Sequence, residues 1–337
     1  MGIKIGVTGT GSLIGQAIIK SIVRSDHKSE YVLIGLDYFA CTVGSLWCQK
    51  NFILPDLLKL DQEEEWLSKI KQIIRAEDIR ILFAGVDFEL PILAKYKIEV
   101  ETETNCRVVI SSEEVIKIGN DKYYTYQFLK ANELNYPLTY LPEECDFDSL
   151  LYPVIIKPRV GARSIGVQQV SNIHELKKAL EKVKSPIIQE LVGDDSSEYT
   201  CGIISFNGNL QRSIALNRTL KDGNTFISEF RHEYPKAIYL YLGKIANKLR
   251  PFGACNIQLR LDKNGTPKLF EINPRHSGTT YIRSLFGYNE VLFILKYLLE
   301  GIEIPFNLKE GKVIRYFEEA LVSDFAQKNE NNFNNWN

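Results

Sequence analysis

The chain has 337 residues, 45% hydrophobic and 25% charged, a mixture typical of a soluble globular protein and enough for two or three structural units. Its formal net charge of -1 excludes a broad nucleic-acid surface, which needs a large basic excess, but leaves room for a small anion held by a local cluster of cations. Cys41, Cys48, Cys106, Cys145, Cys201 and Cys255 form no C-x-x-C pair and no zinc-type spacing, no signal peptide pattern opens the chain, and no stretch approaches the roughly 20 apolar residues of a membrane helix, so a cytoplasmic protein with reduced thiols and no membrane partner is expected.

The first hundred residues alternate strand and helix. "IKIGVTG" reads as a strand, "LIGQAIIKSIVRS" as a helix and "EYVLIGLD" as a second strand. "EEEWLSKIKQIIRAED" follows as an amphipathic helix, then "IRILFAG" and "CRVVIS" as strands three and four. Strands spaced by helices imply a parallel sheet covered on both faces, ending near residue 110.

Gly9, Gly11 and Gly15 lie between the first strand and its helix, the setting of a dinucleotide fingerprint, and Asp37 ends the next strand as a ribose-binding acid would. That reading makes the chain a nicotinamide oxidoreductase. The same glycines also suit a tight strand-to-helix corner that binds nothing.

Past residue 110 the texture changes. Helical segments lead to "YPVIIKPRVGARSIGVQQV", a strand, a Gly/Arg loop and a second strand, and then to a helix at "IHELKKALEKV" and a strand at "SPIIQELV". The remainder is strand-rich, with helices expected at 236–249 and 286–300, the mixture of an α+β body with antiparallel sheets. The last dozen residues are polar and Asn-rich, as in a frayed tail.

In "NIQLRLDKNGTPKLFEINPR", Ile257, Leu259 and Leu261 alternate with Asn256, Gln258 and Arg260, the pattern of a strand with one face in a core. Asn264-Gly265 is the preferred type I′ turn, and such a turn would pair residues whose numbers sum to 529. Gln258 then faces Glu271 and Asn256 faces Asn273, placing four oxygen-bearing side chains on one patch. Oxygen-only ligands suit Mg²⁺, which takes the rest of its shell from phosphate and water. A solvated outer face would look the same, and a longer turn would change the pairings.

With those residues in view, the chain resembles the ATP-grasp superfamily, most closely the single-unit relatives of the carbamoyl-phosphate synthase large subunit. The resemblance runs from residue 1 to about 320 and is strongest over "FEINPRHSGTT". It implies an α/β plus α+β architecture: a Rossmann-like N-terminal domain (1–110), a small lid subdomain (111–190), a C-terminal catalytic subdomain (191–323) and a polar tail (324–337). It also implies Gln258, Glu271 and Asn273 as metal ligands and Arg275 as a catalytic residue facing phosphate. By the same resemblance Lys122 meets ATP phosphate, and Lys157 with the 159–166 loop, including Arg159 and Arg163, closes over the phosphates. Gln189, Glu190, Leu191 and Val192 form the adenine hinge, and Glu198 holds the ribose. ATP and Mg²⁺, with Mn²⁺ able to substitute, are the implied cofactors, and a homodimer is allowed.

Arg218 in "ALNRTLKDGNT" fits either the acceptor's carboxylate or a surface ion pair, and His276 either substrate or a structural hydrogen bond. The loop carries only Gly161 and Gly166, fewer glycines than relatives often have, and a single catalytic unit is present. The expected activity is an ATP-dependent ligase that activates a carboxylate as an acyl phosphate and joins it to an amine or ammonia. The alternative within the fold is a small-molecule kinase needing no second acceptor.

Overall fold

A computed structural model of the chain describes residues 2–59, 61–161 and 164–321. Arg163 and the expected tail at 324–337 lie outside the described residues.

The N-terminal unit holds β1 (Ile3–Thr8), α1 (Leu13–Val23), β2 (Tyr31–Asp37), β3 (Lys50–Ile53), α2 (Glu63–Glu77), β4 (Ile81–Phe83), α3 (Leu90–Lys95), α4 (Lys97–Thr104) and β5 (Arg107–Val109). Its strands form one parallel sheet in the order β3-β2-β1-β4-β5. The sequence reading recognised four of these strands and missed β3. That edge strand is four residues long and buries only Phe52, so it leaves no apolar run to read.

The opening glycine turn is closed by the protein itself. Gly9 adopts φ 53, Ser12 Oγ accepts from Gly15 N to cap α1, and Asp37 accepts from Gly11 N at 2.8 Å and from Thr10 Oγ1 at 2.9 Å. A carboxylate of the chain thus sits where a dinucleotide-binding turn would receive phosphate.

Next come α5 (Glu113–Asn120), α6 (Lys122–Ala131), β6 (Thr139–Tyr140), β7 (Val154–Pro158), β8 (Gln168–Val170), α7 (Ile173–Leu180) and β9 (Pro186–Glu190). Their strands make a small antiparallel sheet, β6-β9-β7-β8. The last body contains β10 (Glu198–Phe206), β11 (Asn209–Lys221), β12 (Asn224–Phe230), α8 (Lys236–Leu249), β13 (Gly253–Leu261), β14 (Pro267–Asn273), α9 (Thr280–Leu285), α10 (Glu290–Glu300) and β15 (Gly311–Ile314). Its strands run antiparallel in the order β14-β13-β10-β11-β12-β15.

One face of this larger sheet packs on α8, whose Ile238, Leu242, Ile245 and Leu249 recur at helical spacing against Cys201, Ile203, Ile257 and Leu259. The other face begins as core, where Ala254, Ile204 and Ile214 meet α10 and α1. Farther along β13, side chains of that same parity are Asn256, Gln258 and Arg260, so the face passes from core to polar site. The helix expected at 286–300 is shorter. Gly287, at φ 90, breaks the chain between α9 and α10, and Asn289 caps α10 by accepting from Leu292 N.

The β13–β14 turn also differs from expectation. Asn264 is not left-handed, as a type I′ turn requires, and only Gly265 has positive φ, at 77°. Asp262 Oδ1 accepts from Asn264 N and Thr266 N, setting a three-residue turn. Pairs beside the turn are therefore Leu261 with Pro267, Arg260 with Lys268 and Leu259 with Leu269. A bulge at Phe270 then restores the expected pairing of Gln258 with Glu271 and Asn256 with Asn273.

Candidate active site

Two cavities meet along the polar face of β13 and β14. The first lies between the small and large sheets. Ile155, Ile165, Val167, Leu191, Val192, Leu220 and Phe270 give it apolar walls, while Lys122, Lys157, Glu198, Arg218, Arg260, Gln258 and Glu271 give it a charged end. The second lies against the N-terminal unit and is lined by Ser12, Leu13, Ile14, Asp87 and Phe88 on one side and by Asn256, Asn273, Arg275, Ser277 and Thr279 on the other. Arg218, Gln258 and Glu271 line both. An apolar slot with a cationic end suits a flat base and a polyphosphate.

Lys157, on β7, is 5% exposed. Its ammonium donates to Gln189 Oε1 at 2.7 Å and lies 5.3 Å from the Phe270 ring, and no carboxylate lies within 4 Å among the described residues. Burial first, and then the Lys122 charge, pull its pKa from 10.5 to about 7. Gln189 is held in turn, its Nε2 donating to Thr139 Oγ1 at 2.9 Å. Lys122, at the first position of α6, donates from Nζ to Gly161 O at 2.9 Å, and its backbone N donates to Arg159 O. Lys122 and Lys157 thus line the same cavity.

Arg159 is placed otherwise. Its guanidinium forks onto Asp121 Oδ2, at 3.0 Å from Nε and 2.7 Å from Nη2, and it does not line the nucleotide-sized cavity. Asp121 caps α6, so this ion pair ties the loop's start to a helix end. At the hinge, the Glu190 backbone N–H donates to Leu138 O at 2.8 Å. The Glu190 side chain pairs with Lys268 at 2.7 Å.

A continuous hydrogen-bonded row crosses the site. Glu198 accepts from Arg260 Nε at 3.0 Å and from Arg218 Nη2 at 2.9 Å, and Arg218 Nη2 also donates to Gln258 Oε1 at 2.7 Å. Gln258 Nε2 donates to Glu271 Oε1 at 3.1 Å, as does Asn273 Nδ2 at 2.8 Å. Arg275 Nη2 donates to Asn273 Oδ1 at 3.0 Å and its Nε to Asp87 Oδ1 at 2.7 Å. The fourth residue of the patch, Asn256, is 3% exposed and structural. Its Oδ1 accepts from Thr200 Oγ1 and from Arg283, which forms a fully buried ion pair with Glu290 at 3.1 Å.

Among the described residues no three His, Cys, Asp or Glu side chains cluster as a metal site. The donor set is Glu271 with the amides of Gln258 and Asn273, which fits a hard cation that draws its remaining oxygens from phosphate and water. His276 does not line the second cavity. It is fully buried, edge-on to Phe83 at 5.2 Å, its Nε2 has no partner among the described residues, and burial lowers its pKa to about 4.

Sequence reading passed over Arg260, Phe270, Asp87 and Arg315, all of which line one cavity or the other. For Phe270 a signal existed. Two adjacent apolar residues in "KLFEIN" break strict alternation, which is the mark of a bulge. Asp87 and Arg315 reach the site only through tertiary packing.

Residues 119–279 match the family model of the ATP-grasp domain. The chain also aligns with a carbamoyl-phosphate synthase of Methanobrevibacter smithii, 23% identical over 161 residues, covering 47% of this chain and 43% of that protein. D-alanine–D-alanine ligase B of Chromobacterium violaceum is 34% identical over 110 residues, covering 30% of this chain and 34% of that one. The chain thus spans less than half the length of either curated relative. Among solved structures, N5-carboxyaminoimidazole synthetase from Staphylococcus aureus complexed with ADP superposes with a TM-score of 0.70 over 99% of this chain and 86% of that one, at 16% identity, a likeness of fold. Residues 119–279, which hold most of the charged row and of both cavities, are thus the part of the chain that matches the ATP-grasp domain.

Proposed function

We propose that the protein is an ATP-dependent ligase that activates a carboxylate as an acyl phosphate and joins it to an amine or ammonia. The observation that carries this reading is the shared wall. Arg218, Gln258 and Glu271 line both cavities, so a phosphoryl group presented in one is within reach of an acceptor in the other.

A carboxylate resists nucleophiles because of its charge. One of its oxygens attacks the γ-phosphorus, the bond to the ADP oxygen breaks, and an acyl phosphate forms. The amine then attacks the acyl carbon, phosphate leaves with the bonding pair, and the nitrogen loses a proton. Phosphoryl transfer of this kind depends on positioning and charge neutralisation. Lys122 and Lys157 hold the phosphates, Glu198 the ribose, and Glu190 and Val192 the base. Arg275, aimed by Asp87, faces the phosphoryl group and the later oxyanion. Mg²⁺, or Mn²⁺ in its place, held by Gln258, Glu271 and Asn273, would neutralise phosphate charge.

The acyl phosphate must be kept from water. Ile165 is 73% exposed yet lines the nucleotide cavity, and Gly166 beside it takes φ 76, so this loop has an apolar residue to lay over bound ATP. In this reading the protein works in the cytoplasm, where its six cysteines are free thiols.

ADP release with Mg²⁺-ATP across pools of acids and amines, followed by mass spectrometry of products, tests the proposal. Turnover is expected only with an acid and a nitrogen donor together. A stable phosphorylated product formed with one acceptor alone would overturn the ligase reading in favour of a kinase.

A further inference from the structure

The second cavity has one cation that no carboxylate among the described residues answers. Arg315 follows β15 and continues its pairing, its backbone N donating to Phe226 O at 2.8 Å. Along this edge Lys312, Ile314 and Tyr316 face outward, with Ile314 and Tyr316 59% and 71% exposed, while Val313 packs into the core. Arg315 shares Val313's parity, so its side chain is sent inward, to line the cavity.

There its guanidinium, with five donors, donates through Nη2 to Gly278 O. No carboxylate of the described residues lies within 4 Å of it. Lys20 on α1 is disfavoured as a cation by burial and then by Arg24 and Arg315, with Glu318 acting the other way. The other two guanidiniums of the cavity are engaged, Arg218 by Glu198 and Arg275 by Asp87. Inward burial of an unpaired guanidinium is costly unless a ligand supplies the counter-charge.

Resting on the ligase reading, we infer that the acid accepted in the second cavity bears a second anionic group, a carboxylate or a phosphate, and that Arg315 binds it. The reacting carboxylate belongs at the Gln258–Glu271–Arg275 row, where phosphoryl transfer is placed. Arg315 is bonded to Gly278 O and not to that row, and a Cβ on Gly278 would stand 3.9 Å from Arg315 Nη2 and 3.6 Å from Leu13 Cβ. The substrate therefore bridges Arg315 and the row, within a cavity to which Leu13, Ile14 and Phe88 give apolar walls. Bidentate recognition of a planar anion is what a guanidinium with free donors does best.

The test is calorimetric titration of the full chain, with Mg²⁺-ADP present, using short dicarboxylates, amino dicarboxylates and phosphorylated hydroxy acids. Each is compared with a partner in which the second charge is masked, the monoamide or the unphosphorylated acid. The wild type is expected to prefer the doubly charged member of one series, which identifies carboxylate or phosphate. Arg315→Gln should weaken that ligand by about 30-fold, the worth of a charge-assisted pair, while leaving the masked partner's affinity unchanged. Arg315→Lys should recover part of the loss. Equal affinity for charged and masked members in the wild type would overturn the inference. So would an equal loss for both in Arg315→Gln, because that is the signature of a structural role on the Gly278 loop. Binding is read without turnover, so Arg315-dependent preference with no amide product would retain this inference and sink only the ligase reading.

Discussion

Arg218 Nη2 sits between Glu198 Oε1 at 2.9 Å and Gln258 Oε1 at 2.7 Å, joining the residue proposed for the ribose to the residue proposed for the metal. The pair is about 10% exposed on each side. Removing one partner of a buried ion pair normally costs about 3–5 kcal/mol, because the other charge is stranded. Here Glu198 keeps Arg260, so Arg218→Met should lower stability by only about 1–2 kcal/mol. It should also reduce kcat/KM by about 100-fold through loss of charge at the shared wall. Adding Arg260→Met strands Glu198, and the double variant's loss in thermal denaturation should exceed the sum of the single losses.

Lys157 should make the proposed nucleotide site sensitive to pH. Its folded pKa is about 7 against an ordinary 10.5, so between those values the unfolded chain holds a proton that the folded chain lacks. Stability of the nucleotide-free protein should therefore rise with pH across about 7 to 10.5, and the rise should be smaller in Lys157→Met. Phosphate arriving beside the ammonium restores its charge. Binding of ATP near pH 8 should take up a proton from buffer, seen as a dependence of calorimetric heat on buffer ionisation enthalpy. Lys157→Met should bind without that uptake.

The hairpin shows what the sequence could and could not convey. Alternation along Asn256–Leu261 and the oxygen-rich composition of the opposite strand made the pairing of Gln258 with Glu271 legible. The turn expected to set it was wrong by one residue, because Asp262 caps a three-residue turn, and the bulge at Phe270 cancelled the error. Strand parity on the buried face was the stronger constraint. Lys157 was readable as a cation inside an apolar strand. Arg159 was not, since only the fold brings it to Asp121. Arg315 and Asp87 were silent for the same reason: they enter the second cavity from elements distant in sequence, and their local patterns are those of ordinary surface residues.

Glu271 is the one carboxylate of the proposed metal set, and both neighbouring amides donate to it. Glu271→Gln preserves shape but removes the negative charge. We expect the fold to survive, with a melting temperature close to wild type, while half-saturation by Mg²⁺ rises by at least about 10-fold and kcat falls by about 100-fold or more. Titration of Mg²⁺ at fixed ATP, followed by ADP release, separates the two effects. Unchanged Mg²⁺ dependence in this variant would remove Glu271 from the metal site.

The opening glycines give the opposite kind of prediction, in which packing rather than ligand is at stake. A Cβ on Gly15 would lie 2.2 Å from Gly9 O, and one on Gly85 2.0 Å from Thr8 O, both against backbone that cannot swing aside. Asp37 is already filled by Thr10, Gly11, Tyr38 and Phe39 as donors. Gly15→Ala should therefore destabilise the N-terminal unit by about 3 kcal/mol, measured by denaturant titration, whether or not any nucleotide is present. A fluorescence titration of the wild type with NADH should show no saturable binding. Saturable quenching that disappears in Asp37→Ala would instead place a dinucleotide at this corner and revive the oxidoreductase reading.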